Sequence, residues 1–205
     1  FSLTVLTFLI ISYRQKTFKA FKDSGFPGFI GGIILSFGFC GYVFAMYQTT
    51  VANTNFIISL QILFLAIFGY FFLKEKISAV TLTSIILAMT GVLLMVGNSL
   101  TPGELSGNLA AFTMPITFAI LIMIVRKFPS VDMVPAQFYA GICSCLIGYF
   151  LSTKIMISPH DIFLGFLAGC FQVGLGFIFI TTGARTTPSA MVGIIMLSES
   201  VLGPI

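Results

Sequence analysis

The sequence predicts an all-α integral membrane protein folded as an inverted-repeat helix bundle, and three observations carry that reading. Of 205 residues, 58% are hydrophobic and only 8% are charged, against roughly 25% charged in a soluble domain. The apolar residues fall in uninterrupted runs long enough to cross a bilayer as helices. Two stretches 137 positions apart spell nearly the same design: Phe29–Thr50 reads FIGGIILSFGFCGYVFAMYQTT and Phe166–Thr187 reads FLAGCFQVGLGFIFITTGARTT.

In chain order the apolar runs are 1–13, 27–47, 51–73, 77–97, 107–125, 134–152, 162–182 and 189–205, all uncharged except the last, which holds Glu199. Their continuous apolarity, without alternation, favours helices over membrane strands. The first run opens without an initiator methionine and the last stops in mid-run, so both ends read as cuts. Eight spans are expected, two of them partial, in a piece of a longer protein whose leader cannot be judged. The second and seventh runs carry Gly28-x-x-x-Gly32 and Gly165-x-x-x-Gly169 at the same repeat offset. Small residues at that spacing let helix backbones approach closely, so all four glycines are expected at helix contacts. Pro115 and Pro204 each remove a backbone hydrogen bond in mid-span, giving either a flexing point beside a cavity or a plain packing kink.

Charge orders the loops. Arg14, Lys16, Lys19, Lys22, Lys74, Lys76, Arg126, Lys127 and Arg185 fall on alternate loops, and only Lys154 falls on the other set. The positive-inside rule then puts the first set in the cytoplasm and the loops 48–50, 98–106 and 153–161 outside. Five spans separate each copy of the repeat from its counterpart, so the copies cross in opposite directions: Gln48 outside matches Arg185 inside. An inverted-topology repeat is a signature of membrane transporters. Arg185 itself reads as a topology anchor. The net charge of +4 would suggest nucleic acid in a soluble chain. On span-flanking loops it signifies topology and lipid headgroups, and no nucleic-acid partner is expected.

Catalysis has no support in the residues. Cys40, Cys143, Cys145 and Cys170 all lie in apolar spans, where reduced thiols pack as small hydrophobes. Cys143 and Cys145 project about 200° apart on a helix, which rules out a shared metal face. His160 is the single histidine, and it reads as solvated. Gly174-x-Gly176 lacks the third glycine of a dinucleotide fingerprint. No cofactor and no metal are expected.

Of six acidic residues, Asp23, Glu75, Glu104, Asp132 and Asp161 fall in loops or at span ends, and Glu199 alone lies deep in a span. Eleven residues in, it sits roughly 16 Å from the membrane surface, near the midplane. A charge there costs at least ~2.5–3.5 kcal/mol, so the residue is a functional candidate by default. It is either a proton-coupling or cation-binding carboxyl or a neutral acid bonded to a backbone carbonyl in a broken helix. Gln61 becomes its repeat partner if one residue is inserted near Pro188. Gln61 and Gln172 are the polar side chains best placed to line a cavity, whereas Asn53, Asn55, Ser59 and Gln137 suit helix gluing.

Three segments resemble the EamA-type transporters of the drug/metabolite transporter superfamily. Leu60–Glu75, LQILFLAIFGYFFLKE, is similar to the family's fourth-helix signature with its interfacial Glu. Gly107-Asn-Leu-Ala-Ala with Val125-Arg-Lys127 is similar to the helix that opens the second half, and Leu197–Ile205, LSESVLGPI, to the ninth helix. The resemblance implies ten helices in two inverted halves, of which this chain holds the end of helix 2 to most of helix 9. It departs from the pattern at Ile62 and Ser200, where the family often has proline, which leaves a kink at those points open. The implied units are 1–97, an outside loop 98–106, and 107–205.

The expected function is secondary transport of a small metabolite, amino-acid-like or another polar organic solute, by alternating access. Protons, another coupling ion or the solute gradient would drive it, and the setting is a cell membrane. The alternative is a non-transporting scaffold or sensor in which Glu199 only packs. An intramembrane enzyme would need a second ionisable group at the depth of Glu199.

Overall fold

The computed structural model describes residues 1–96, 105–152 and 158–202, and among these every regular element is helical. The helices are α1 (Ser2–Tyr13), α2 (Thr17–Gln48), α3 (Val51–Ser59), α4 (Gln61–Leu73), α5 (Ala79–Val96), α6 (Leu105–Ala111), α7 (Thr113–Lys127), α8 (Val134–Leu151), α9 (Pro159–Leu167), α10 (Gly176–Gly183) and α11 (Ser189–Leu202). A π-helical segment, Ala168–Leu175, joins α9 to α10. Five stretches are long and apolar enough to cross a membrane: Ser2–Gln48, Val51–Leu73, Leu105–Lys127, Val134–Leu151 and Pro159–Gly183.

The first of these is not one rod. As a continuous helix it would hold Phe1 and Phe39 ~57 Å apart, yet their rings meet edge to face at 5.6 Å. The chain turns back through a 3₁₀ turn at Arg14–Lys16, with Arg14 at φ 47°. It breaks again at Gly25, φ 51°, a backbone state that glycine adopts without steric cost. The basic segment 14–26, expected as a loop, therefore contains a short helix of its own between the two breaks. Its pattern of Thr17, Ala20, Phe21 and Ser24 turned inward at helical spacing explains why.

Other spans are discontinuous. α3 and α4 meet at a turn where the Leu60 N–H donates to Ile57 O at 3.1 Å. The break forms without the proline that the resemblance would put two residues later. The Ser59 hydroxyl, donating to Phe56 O at 2.6 Å, occupies a local carbonyl beside the turn. α6 and α7 meet at Phe112, just ahead of buried Pro115, and the Thr113 hydroxyl donates to Ala110 O at 2.6 Å. Pro204 lies outside the described residues.

The bundle centres on Phe118, Leu121, Ile122, Leu35 and Leu65, all buried, with Phe177 packed beside Phe118 at 6.0 Å between rings. α2 packs on α6, α7 and α8; α1 on α8 and the π segment; α4 on α7 and α11. Glycines make α2 the closest-fitting helix. A Cβ on Gly32 would lie 2.5 Å from Ala136 O and 2.7 Å from the Tyr139 Cβ, both on α8. On the flanking face, Gly38 and Gly41 abut Thr117 and Thr113 of α7. The other flagged glycines differ. Gly169 approaches the Phe1 nitrogen at 3.2 Å, and Gly28 meets mainly Ser24 of its own helix. The expectation for Gly165 needs correcting: it has no described atom within 4 Å of its Cβ position, because that face of α9 is outermost.

Candidate functional site

Charged groups within the bundle gather at one end, in two clusters. The first begins where α4 stops. Lys74 takes the left-handed conformation, φ 55°, and the Glu75 N–H folds back to Gly69 O at 3.0 Å, a helix-terminating arrangement that fixes where the next side chain points. Glu75 then projects toward α11 and α7. Its Oε2 accepts the Ser189 N–H at 2.9 Å, capping α11, and its Oε1 lies 2.5 Å from the Arg126 Nη2 at the end of α7. A carboxylate at a helix N-terminus is favoured by the exposed N–H groups there.

The second cluster surrounds Asp132, two residues before α8. One of its oxygens accepts the Val134 N–H at 3.0 Å and is paired with Arg185 beyond α10. The other accepts the Tyr13 hydroxyl at the end of α1. The four charged side chains are 14–24% exposed, so neither pair is freely solvated. A hydrogen bond to a charged group contributes ~1.5–3 kcal/mol, and removing one partner of a buried pair costs ~3–5 kcal/mol. Arg185, read from the sequence as a topology anchor, is thus a structural partner of Asp132. Both clusters join residues before position 97 to residues after 105.

At the other end the ties are neutral. The Thr49 hydroxyl donates to Asn108 Oδ1 at 2.9 Å, the Asn53 amide donates to Thr49 at 3.2 Å, and Gly107 packs against the Gln48 backbone. Within the bundle, Gln137 Nε2 donates to Thr181 at 2.8 Å, leaving Gln137 Oε1 buried with no hydrogen-bond partner among the described residues. Two cavities adjoin the ionic clusters. A cleft of about 500 Å³ is lined by Tyr13, Lys16, Lys19, Asp23, Ser130 and Asp132, and a pocket of about 110 Å³ by Glu75, Ser78, Thr81, Pro188 and Met191.

The residues singled out from the sequence disperse. Gln61 is buried, 5% exposed, immediately after the Leu60 break. Gln172 is exposed, within the π segment. Glu199 belongs to α11, and its side chain lies outside the described residues. Sequence reasoning missed Arg126, Asp132 and Tyr13 as partners. The Glu that follows a helix end and the Asp placed two residues before Val134-Pro135 were the available signals, but their partners lie far along the chain.

Residues 1–97 match the model of the EamA-like transporter family. Over this stretch the chain is similar to that family. An uncharacterized transporter of Methanothermobacter thermautotrophicus is 25% identical, the alignment covering 77% of this chain and 49% of that protein. The chain spans about half the length of that curated relative. A crystal structure of a protein superposes with a TM-score of 0.73 at 21% identity, over 98% of this chain and 75% of that one. At that identity the likeness is one of fold, and it extends past the family match into the second half. The EamA-like family is one of membrane transporters, not of enzymes, and the chain is a multi-pass helical membrane protein.

Proposed function

We propose that this chain is the core of a secondary transporter that moves a small metabolite, amino-acid-like or another polar organic solute, by alternating access. Two inverted units, 1–97 and 107–205, rock about a midplane site to which Glu199, Gln61 and Gln172 contribute. One observation carries the reading. Shifting the chain by 137 positions lays α1 on α8 and the span 51–73 on the span that begins at Ser189, and these are pairs that pack together: α1 on α8, α4 on α11. Elements beside a two-fold axis touch their own counterparts. The contact of α2 with α8 has its counterpart in that of α1 with the π segment, which supports the same axis. The family match over 1–97 supports the division into units.

The basic end faces the cytoplasm in this proposal, following the nine-to-one distribution of Lys and Arg. Both ionic clusters then close the cytoplasmic seam between the units, and the cycle requires them to part. Glu75→Gln with Asp132→Asn removes both carboxylates without changing shape. In a cysteine-free background, a cysteine at Gln61 is expected to react with a hydrophilic reagent from the cytoplasmic side at least about tenfold faster in that variant. An unchanged rate would show that the clusters do not bar access.

Orientation is tested separately. A cysteine at Ser106 is expected to react with impermeant reagent from outside, and one at Lys19 only after permeabilisation. The reverse pattern overturns the topology. Transport itself is tested with the full-length protein in proteoliposomes and a panel of amino acids and other small polar solutes. Saturable uptake of at least one is expected, whereas leak-level flux from folded protein across the panel favours the scaffold reading.

A further inference from the structure

The segment between the two backbone breaks has a composition the transport cycle does not use. Arg14, Lys16, Lys19 and Lys22 stand against Asp23 alone, so these ten residues hold 4 − 1 = +3 of the chain's net +4. All four cations are exposed, and among the described residues none lies within ion-pair distance of a carboxylate. The helix 17–24 has its own inward face. Ala20 and Ser24 are buried, and the Phe21 ring packs on Phe138 at 5.2 Å and Tyr139 at 5.8 Å, over the start of α8. Its outward face mixes cations with Phe18, 84% exposed, and Phe26 follows Gly25 at 73%. Two large exposed aromatics interleaved with unpaired lysines are costly in water but suited to a headgroup layer above hydrocarbon. Beside this face opens the 500 Å³ cleft, with Lys16 and Lys19 on one wall and Ser130 on the other.

We propose that helix 17–24 is an interfacial docking element for anionic phospholipid headgroups. Lys16, Lys19 and Lys22 take the headgroup phosphates, and Phe18 anchors among the upper acyl carbons. The inference rests on the reading of this end of the bundle as lying at the membrane surface. It is independent of the transport reading, of the solute and of which leaflet the helix occupies.

The chain has no tryptophan, and with any tryptophan elsewhere in the full-length protein changed to Phe a single reporter is clean. Full-length Phe18→Trp is reconstituted in phosphatidylcholine vesicles whose brominated fraction is either phosphatidylglycerol or phosphatidylcholine, at equal content. The expected result is quenching about threefold stronger with brominated phosphatidylglycerol. That preference should fade at high salt and disappear when Lys16, Lys19 and Lys22 are all changed to Gln. Should Phe18→Trp fail to fold, Gln15→Trp reports from the same exposed turn. Equal quenching by the two lipids, or a preference that survives the triple substitution, overturns the proposal. So does a preference erased by inorganic phosphate but not by chloride of equal ionic strength, which would assign the lysines to a soluble anion. Because the vesicles are symmetric and contain no solute, failure here leaves the transport reading standing, and absent transport leaves this result standing.

Discussion

Gly32→Ala is expected to destabilise the protein strongly, while Gly31→Ala, one residue away on the same helix, is expected to be close to neutral. The added methyl at Gly32 would sit 2.5 Å from a backbone oxygen, Ala136 O, and 3.1 Å from Ala140 N. Neither can move without displacing α8. Overpacking a fitted core costs ~1–3 kcal/mol even where side chains can yield, against a total stability of ~5–15 kcal/mol. At Gly31 the nearest atoms are the Leu121 Cδ1 at 3.2 Å and the Ile124 Cδ1 at 3.6 Å, both ends of flexible side chains. Their adjustment is offset by the ~1 kcal/mol that alanine gains over glycine within a helix. The check is the folded fraction of detergent-extracted protein after graded heating, read by size exclusion. If Gly31→Ala proves the more damaging of the two, the close α2–α8 contact is misassigned.

The second large effect is expected at Glu199, and it concerns activity more than stability. A carboxyl near the membrane midplane is costly to keep, at least ~2.5–3.5 kcal/mol when charged, and is retained where ionisation has a use. Glu199→Gln preserves size and hydrogen bonding and removes only the titratable charge. If the residue holds a proton or a cationic part of the solute, flux should fall at least about tenfold, the equivalent of ~1.4 kcal/mol of lost interaction. The dependence of flux on pH should flatten with it, because the group coupled to the cycle has gone. Insertion and folding should hold or improve, since a neutral amide is less costly to bury. Flux measured against pH for both proteins, per folded molecule, decides the matter. Wild-type flux with an unchanged profile would remove Glu199 from the mechanism and leave it a packing role.

What the sequence disclosed followed from the lengths of its apolar runs and the side on which each charge fell. The runs 51–73, 107–125 and 134–152 match observed helices to within two residues, apart from internal breaks. The ends also sort as charge alternation requires: Tyr13 with Asp132 and Arg185 at one, Thr49 with Asn108 at the other. The breaks were harder to read. Leu60 carries no glycine or proline, and its turn is imposed by packing with no cue in local propensity. Gly38 and Gly41 escaped notice because the four-residue glycine spacing describes only one face of α2, whereas theirs follows the face turned to α7. Glu75 and Ser189 are 114 positions apart, and no periodicity within one helix could pair them. Gln172 looked suited to a cavity because it is polar in an apolar run, yet the wider π segment turns it outward.

The two ends of the bundle are fastened by different forces, and this gives the protein a sidedness toward its surroundings. Salt weakens attraction between ions over about 10 Å at ~0.1 M, but it scarcely touches a hydroxyl–amide contact such as Thr49 to Asn108. If the ion-paired seam faces the cytoplasm, as proposed above, the fastening that salt can weaken lies on the side where ionic conditions are held nearly constant. The opposite seam, which would then meet the external medium, is closed by neutral groups such as Thr49 and Asn108 that changing salinity does not loosen.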